Sequence, residues 1–320
     1  MLRLTYKLPL LLFVALAITA CKDEEATRQA AAAKEQAFAS SQQPWRNERR
    51  AKLTRPDGWT SLVGLHWIDE GEHYFGSDAD NGIRLAVGPA HVGMVSRKDD
   101  RVRFQPEKGV ALTFNDEPLT GAVTLLSDAD PAGPSRIGFD EDKGIITLIK
   151  RSDRYAFRVK HADAPTRTGF KGIEYWPGGD DWIVTAKYIP NPPGKTIPIA
   201  NIIGTVDEVP NPGAVEFQRD GKTFRIEALD EGEGTLFLVF ADRTSGHGSY
   251  PAGRFLDAPK PDAAGDVVID FNKSYNPPCA FTAFATCPLP PPENRLDLEI
   301  VAGEKAYHFE ESKPVMSTQS

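Results

Sequence analysis

Beyond Pro56-Asp57-Gly58 the chain alternates, and that alternation limits its folds more than any other feature. Short runs rich in Val, Ile, Leu, Phe and Tyr recur between turn-forming clusters at Asp99-Asp100, Asn115-Asp116-Glu117-Pro118, Asn211-Pro212-Gly213 and Asp220-Gly221. No long amphipathic helix interrupts them. Side chains two apart share one face of a strand, so such runs bury one face and solvate the other, and the punctuation predicts hairpins and meanders. Leu236-Phe237-Leu238-Val239-Phe240 is apolar without a break, the pattern of a strand covered on both faces. Val267, Ile269 and Phe271 alternate with Val268, Asp270 and Asn272, which puts Asp270 and Asn272 on one strand face about 7 Å apart. Leu296, Leu298 and Ile300 alternate in the same way with Arg295, Asp297 and Glu299. The expected class is all-β: a small N-terminal β-sandwich packed on a larger antiparallel β-sandwich or barrel, behind a helical or flexible tether.

The polar, turn-prone run 127–134 (SDADPAGP) divides the body into an N-terminal β domain, 44–130, and a C-terminal one, 131–313, with a short tail at 314–320. In the first of these, Phe75-Gly76-Ser77-Asp78-Ala79-Asp80-Asn81-Gly82-Ile83-Arg84-Leu85 resembles the start of a forkhead-associated β-sandwich, over about 60 residues. The resemblance implies the sandwich but not phosphopeptide binding. Ser77 stands where those domains place a phosphate-contacting arginine, and no Ser-x-x-His follows.

The start of the chain reads as an address. Arg3 and Lys7 precede an apolar run, Leu8 to Ala20, of about 13 residues. That is roughly 20 Å of helix, shorter than a bilayer core and typical of a signal-peptide core. Ile18-Thr19-Ala20-Cys21 resembles the lipobox of bacterial lipoproteins. The resemblance implies removal of residues 1–20, lipidation at Cys21 and export to the cell envelope. Several acyl chains on one residue give lasting membrane attachment. Lys22 in place of aspartate points to the outer membrane, facing the periplasm, in a Gram-negative host. Residues 21–43 are rich in Ala, Gln and charge with no apolar stripe, and read as a lipidated tether; at Pro44 a short helix is expected to open and run from Trp45 to Leu53. Loss of Arg3 and Lys7 leaves 35 basic against 45 acidic residues. That balance argues against a nucleic-acid-binding body and leaves the lipid as the hold on the membrane.

The richest stretch is Asp270 to Arg295, DFNKSYNPPCAFTAFATCPLPPPENR. Asn276-Pro277-Pro278 ends a strand, and Pro288 with Pro290-Pro291-Pro292 forces an extended return. Of three cysteines, Cys21 is taken by lipid, which leaves Cys279 and Cys287. In an exported protein these are read first as a disulfide, whose loop closure contributes about 2.6 kcal/mol; the alternatives are two packed thiols, or metal binding or thiol catalysis. One reading of the surrounding groups is a cleft, with Asp270 or Glu293 as acid or base and Arg254 or Arg295 holding an anion. Tyr250, Asn272, Tyr275, Asn276, Asn294, Glu304 and Lys305 would then contact the ligand, a small molecule or envelope component. The other reading is a carboxylate–arginine network pinning an irregular loop to the sheet, since buried polar groups need partners.

Trp59 to Gly76, Asp242 to Leu256, the stretch just quoted and Ala302-Gly303-Glu304-Lys305 resemble the signature blocks of the DUF1684 family. The resemblance implies no activity, cofactor or catalytic residue. At His247-Gly248-Ser249 the chain departs from members that carry Glu-Thr before the tyrosine.

Other motifs fall short. Asp242, His247 and Ser249 lack the Gly-x-Ser-x-Gly context of a hydrolase, and Gly194-Lys195-Thr196 is flanked by prolines where a phosphate-binding loop needs a helix. No His or Cys spacing suits a metal. Arg151, Arg154 and Arg158 either line an anion-binding groove or form a solvated face. The function expected is an anchored envelope lipoprotein that binds a ligand or acts as a scaffold; the alternative is a hydrolase-like envelope enzyme on loop 270–295.

Overall fold

The computed structural model describes residues 10–230, 232 and 234–307; of residues 10–24, 26 and 27 only the backbone is described. Residues 1–9 of the expected signal segment fall outside these limits, as do the side chains of its remainder and of Cys21, and the tail. The chain divides into two units, 1–47 and 48–320. Helix α1 runs from Leu10 to Leu53 and contains Pro44, so it does not begin at that proline. Strong helix formers lie on both sides, and a helix runs through a proline at the loss of one backbone bond. In the turn before it, the Ser40 and Ser41 hydroxyls bond the Gln36 and Phe38 carbonyls. Among the described residues no helix is long and apolar enough to cross a membrane.

In the second unit, α1 ends as expected at Leu53. The Thr60 hydroxyl takes the Leu53 carbonyl and the Thr54 hydroxyl that of Arg50, which closes the helix end. Eleven strands follow: β1 Leu62–Ile68, β2 Gly71–Gly76, β3 Ile83–Arg84, β4 Gly93–Lys98, β5 Arg101–Pro106, β6 Thr113–Phe114, β7 Glu117–Pro118, β8 Val123–Leu125, β9 Arg136–Phe139, β10 Gly144–Arg151 and β11 Arg154–His161. They form two sheets, ordered β3-β2-β4-β5-β8 and β1-β11-β10-β9-β6-β7. Alternation decides what lies between them. Val102 and Phe104 of β5, with Phe75 and Val95, meet Tyr155, Phe157 and Val159 of β11 and Ile146 and Leu148 of β10 in one apolar layer. The Phe75 ring centres it, 5.2 Å from that of Phe104 and 4.9 Å from that of Phe157. The polar run 127–134 joins β8 of one sheet to β9 of the other.

After a single helical turn, α2 Pro165–Thr168, come β12 Ile183–Pro190, β13 Thr196–Ala200, β14 Val206–Pro210, β15 Gly213–Arg219, β16 Lys222–Ala228, β17 Thr235–Phe240, β18 Arg254–Pro259 and β19 Asp266–Asp270. They make an open four-stranded sheet, β16-β15-β12-β19, and two pairs, β13-β14 and β17-β18. The sheets are several and none closes into a barrel. Strand β17 is covered on both faces, as its unbroken apolar run requires. Leu236, Leu238 and Phe240 enter a core with β12, β15, β16 and β19, while Phe237 and Val239 enter a second with Ile197, Ile199, Phe255 and Cys287. Leu296, Leu298 and Ile300 join the first core and alternate with exposed neighbours, although their segment belongs to no sheet. Strand β19 stops at Asp270, and Phe271–Lys273 forms a 3-10 turn. Asp270 and Asn272 are therefore not neighbours on a strand face: the Asp270 carboxylate captures the Asn272 backbone N–H and side-chain amide at 3.1 and 2.9 Å, which ends the strand.

Candidate functional site

Arg254 opens β18 opposite Phe240 of β17, and its side chain is wholly buried. Such a cation persists only if its donors find acceptors. The Arg254 Nη1 donates to the Ala302 carbonyl at 2.5 Å; Nη2 donates to the Ile300 carbonyl at 3.0 Å and to Asp242 Oδ1 at 3.3 Å. It thus fastens the irregular segment 300–304 to the end of β17 and β18. Burial pushes the guanidinium pKa down, and the Asp242 charge opposes that shift.

Asp242 is equally buried. Its second oxygen accepts the Ile300 N–H at 2.8 Å, and the Thr244 hydroxyl lies 2.9 Å from both oxygens. From there a chain runs outward. Thr244 Oγ1 is 2.7 Å from Ser249 Oγ, which accepts the Trp176 indole N–H at 3.0 Å. His247 takes no part: it is exposed, with its ring nitrogen on the Ser245 carbonyl.

Glu304 is the second buried acid. Its two oxygens accept the Arg49 Nε at 2.9 Å and the Asn276 backbone N–H at 2.7 Å. Arg49 also donates to the Asn276 carbonyl and lies over the Tyr275 ring at 4.6 Å. Asn276 Nδ2 donates to the Lys305 carbonyl, and the Lys305 ammonium stands over the Trp176 ring. Gly303 makes the close approach possible. Its φ is +79°, and a Cβ there would sit 2.5 Å from the Ser274 carbonyl oxygen.

Of the residues singled out from sequence, Arg254, Tyr275, Asn276, Glu304 and Lys305 come together in this knot. Asp270 and Asn272 form a separate pair that also binds both backbone groups of Gly179, with Lys273 3.3 Å from the acid. Asn294 lies elsewhere, wholly buried, and fastens Glu227 and Val239 of two strands. Glu293 and Arg295 are exposed. Asp270 and Glu293 therefore share no partner with Arg254. Sequence reasoning missed Asp242, Thr244, Trp176 and Arg49 as parts of the knot. One signal was available for the first: Asp242 follows an unbroken apolar strand, so its carboxylate begins inside the core.

Cys279 and Cys287 lie side by side as thiols. The Cys279 N–H donates to the Cys287 sulfur at 3.1 Å, and Tyr250 donates to the Cys279 carbonyl. The hydrogen bond between the two sulfurs, aided by Tyr250, lowers the Cys279 pKa, while the same bond and burial raise that of Cys287. Elsewhere, Asp78, Asp80 and His91 bring one ligand atom each within 4.8 Å of one another. Sequence spacing does not mark that group, because its members meet across a turn.

Residues 168–305 match the profile of DUF1684, protein of unknown function. The Trp59 to Gly76 block lies outside that match. No curated protein matches the chain. Among solved structures, the solution NMR structure of an uncharacterized protein of Haloarcula marismortui is 28% identical, covering 43% of this chain and 78% of that one, with a TM-score of 0.36.

Proposed function

We propose, from the premise that residues 168–305 belong to the DUF1684 family of proteins of unknown function, that this is a lipid-anchored envelope protein that works by binding or scaffolding. The observation that carries the reading is the closed state of the knot. Arg254, Asp242 and Glu304 have side chains with no exposure. Both carboxylates and both Nη atoms of Arg254 are taken up by one another, by Arg49, by Thr244 and by backbone groups, which leaves the buried Arg254 Nε as the one unpaired atom of the three. Chemistry at such groups would need a substrate to reach them, whereas fastening loops needs only that they pair. The anchor rests on Ile18-Thr19-Ala20-Cys21 behind a short apolar run. Attachment at Cys21 and a periplasm-facing position at the outer membrane follow from it.

Two experiments test these parts separately. In fractionated cells the wild-type chain is expected in the membrane fraction and Cys21→Ser in the soluble one; unchanged membrane retention of the variant would sink the anchor. A thermal-shift screen of metabolites and muropeptides tests binding without presupposing a reaction. A ligand at a hundred times its Kd adds about 2.7 kcal/mol, enough to raise the melting temperature by degrees. Turnover of a screened compound, abolished by Asp270→Asn or Glu293→Gln at unchanged stability, would replace this reading with an enzyme on loop 270–295.

A further inference from the structure

Strand β11 turns Tyr155, Phe157 and Val159 into the first sandwich and presents Arg154, Ala156, Arg158 and Lys160 on its other face. Register carries that face across the sheet. Thr147 of β10 pairs with Arg158 on one side and with Arg136 of β9 on the other, so the two arginines flank one hydroxyl residue about 9.6 Å apart. Trp59 walls the row, its ring 5.1 Å from the Arg158 guanidinium and 5.4 Å from the Lys160 ammonium. Thr286 also borders it, accepting from Arg158 Nη2 on its Oγ1 at 3.4 Å.

The charges here do not cancel. Arg151 has Asp128 at 2.8 Å, and Asp57 is held by Arg55. Arg136 has only exposed Asp116, at 4.0 Å. Arg158 finds a hydroxyl and an aromatic face, and Lys160 finds the Asp57 backbone carbonyl. Among the described residues neither of these last two has an ion pair. The Nε atoms of Arg136 and Arg158 are both buried without a hydrogen-bond partner. Burial, with the Arg151 charge, lowers the Arg158 pKa to about 10, and burial, with the Arg158 charge, lowers that of Lys160 to about 8. Wholly buried Arg254 has a carboxylate in contact, whereas half-buried Arg158 and Lys160 have none, and an anion would repay the desolvation of their donors.

We propose that this face binds a small soluble oxyanion of the phosphate or sulfate type, held by Arg158, Arg136 and Lys160 beside the Trp59 indole. Guanidinium forks match the tetrahedral oxygens, and the ammonium adds a point charge. The walls formed by Trp59 and Thr286 favour a solute over a membrane surface. The site shares no residue with the Arg254 knot, so its failure would leave the scaffold reading untouched.

The test is a titration of the mature chain with sodium sulfate and inorganic phosphate against sodium chloride of equal ionic strength, followed by melting temperature and tryptophan fluorescence. Sulfate and phosphate are expected to raise the melting temperature saturably, where chloride does not. Arg158→Gln and Lys160→Gln should each raise the half-saturating concentration at least tenfold. Trp59→Phe should remove the fluorescence change and keep the thermal one. Equal responses to chloride would overturn the site, as would wild-type midpoints in both variants. If Arg158→Gln fails to fold, Lys160→Gln decides alone. A chain that sediments with phosphatidylglycerol vesicles while ignoring soluble phosphate would overturn the assignment of a small solute.

Discussion

The molecule holds cations out of full solvent in two ways. At the start of β18, Arg254 is enclosed with Asp242 and three backbone carbonyls. On the outer face of β11, half-buried Arg158 and Lys160 contact a hydroxyl, a backbone carbonyl and an indole, and among the described residues neither has a carboxylate within ion-pair distance. In the first arrangement charge meets charge, so removing either strands the other. In the second there is nothing to strand. The same substitution, a charge replaced by a neutral isostere, should therefore act in opposite directions at the two places.

The largest expected effect is in the closed knot. Arg254→Met should cost about 3–5 kcal/mol, measured by urea denaturation, because it leaves Asp242 buried and charged. Asp242→Asn should fall in the same class. Losses below about 1 kcal/mol would remove the distinction between the two regions. Gly303→Ala tests the same knot through the backbone and should cost at least as much as a typical cap, about 1–2 kcal/mol, since the new Cβ meets the Ser274 carbonyl.

Next in size is the seam between them, where Cys279 and Cys287 touch. If this pair is oxidised in the cell, thiol titration of the denatured, unreduced chain should find neither thiol, and reduction should lower stability by about 2–3 kcal/mol. Two titratable thiols would show that the pair stays reduced.

On the open face the effects are smaller and reversed. Without sulfate or phosphate, Arg158→Gln should leave stability within about 1 kcal/mol of wild type or raise it. Stability should also climb with pH there. Arg158, Arg136, Arg55 and Asp57 surround the Lys160 ammonium, and burial with the neighbouring positive charges holds its pKa near 8 in place of 10.5. Between those values the unfolded chain binds the extra proton, so stability rises as pH goes from about 8 to 10.5. Below 8 the penalty is present in full, and above 10.5 it is gone. Lys160→Gln should flatten that rise in pH-dependent denaturation; an unchanged slope would place its origin elsewhere.

How much of this was legible follows from range. The all-β class and the two-sided burial of β17 come from patterns inside a few residues, and such patterns survive folding unaltered. The alternation past Asp270 misled because a single side chain, the capping Asp270, outcompeted the strand for the Asn272 amide. Pro44 misled in the other direction, its local rule overridden by the helix around it. The knot was the least legible part. Arg49 and Glu304 lie 255 residues apart, and nothing in either neighbourhood announces the other. Loop 270–295 looked chemical because its polar groups are dense, yet that density serves three separate fastenings, at Gly179, at Glu304 and at Glu227.

Strand β17, with a core on each side, bears on how the protein breathes. For most strands a fluctuation that peels one face from its neighbours frees the amides to solvent. Here such a fluctuation would have to break two apolar layers at once, that of Leu236, Leu238 and Phe240 and that of Phe237 and Val239. The amides of residues 236–240 should therefore exchange with deuterium only through global unfolding, with protection equal to the full stability of the second unit. Five neighbouring amides would then read, without any mutation, the same free energy as the denaturation curves.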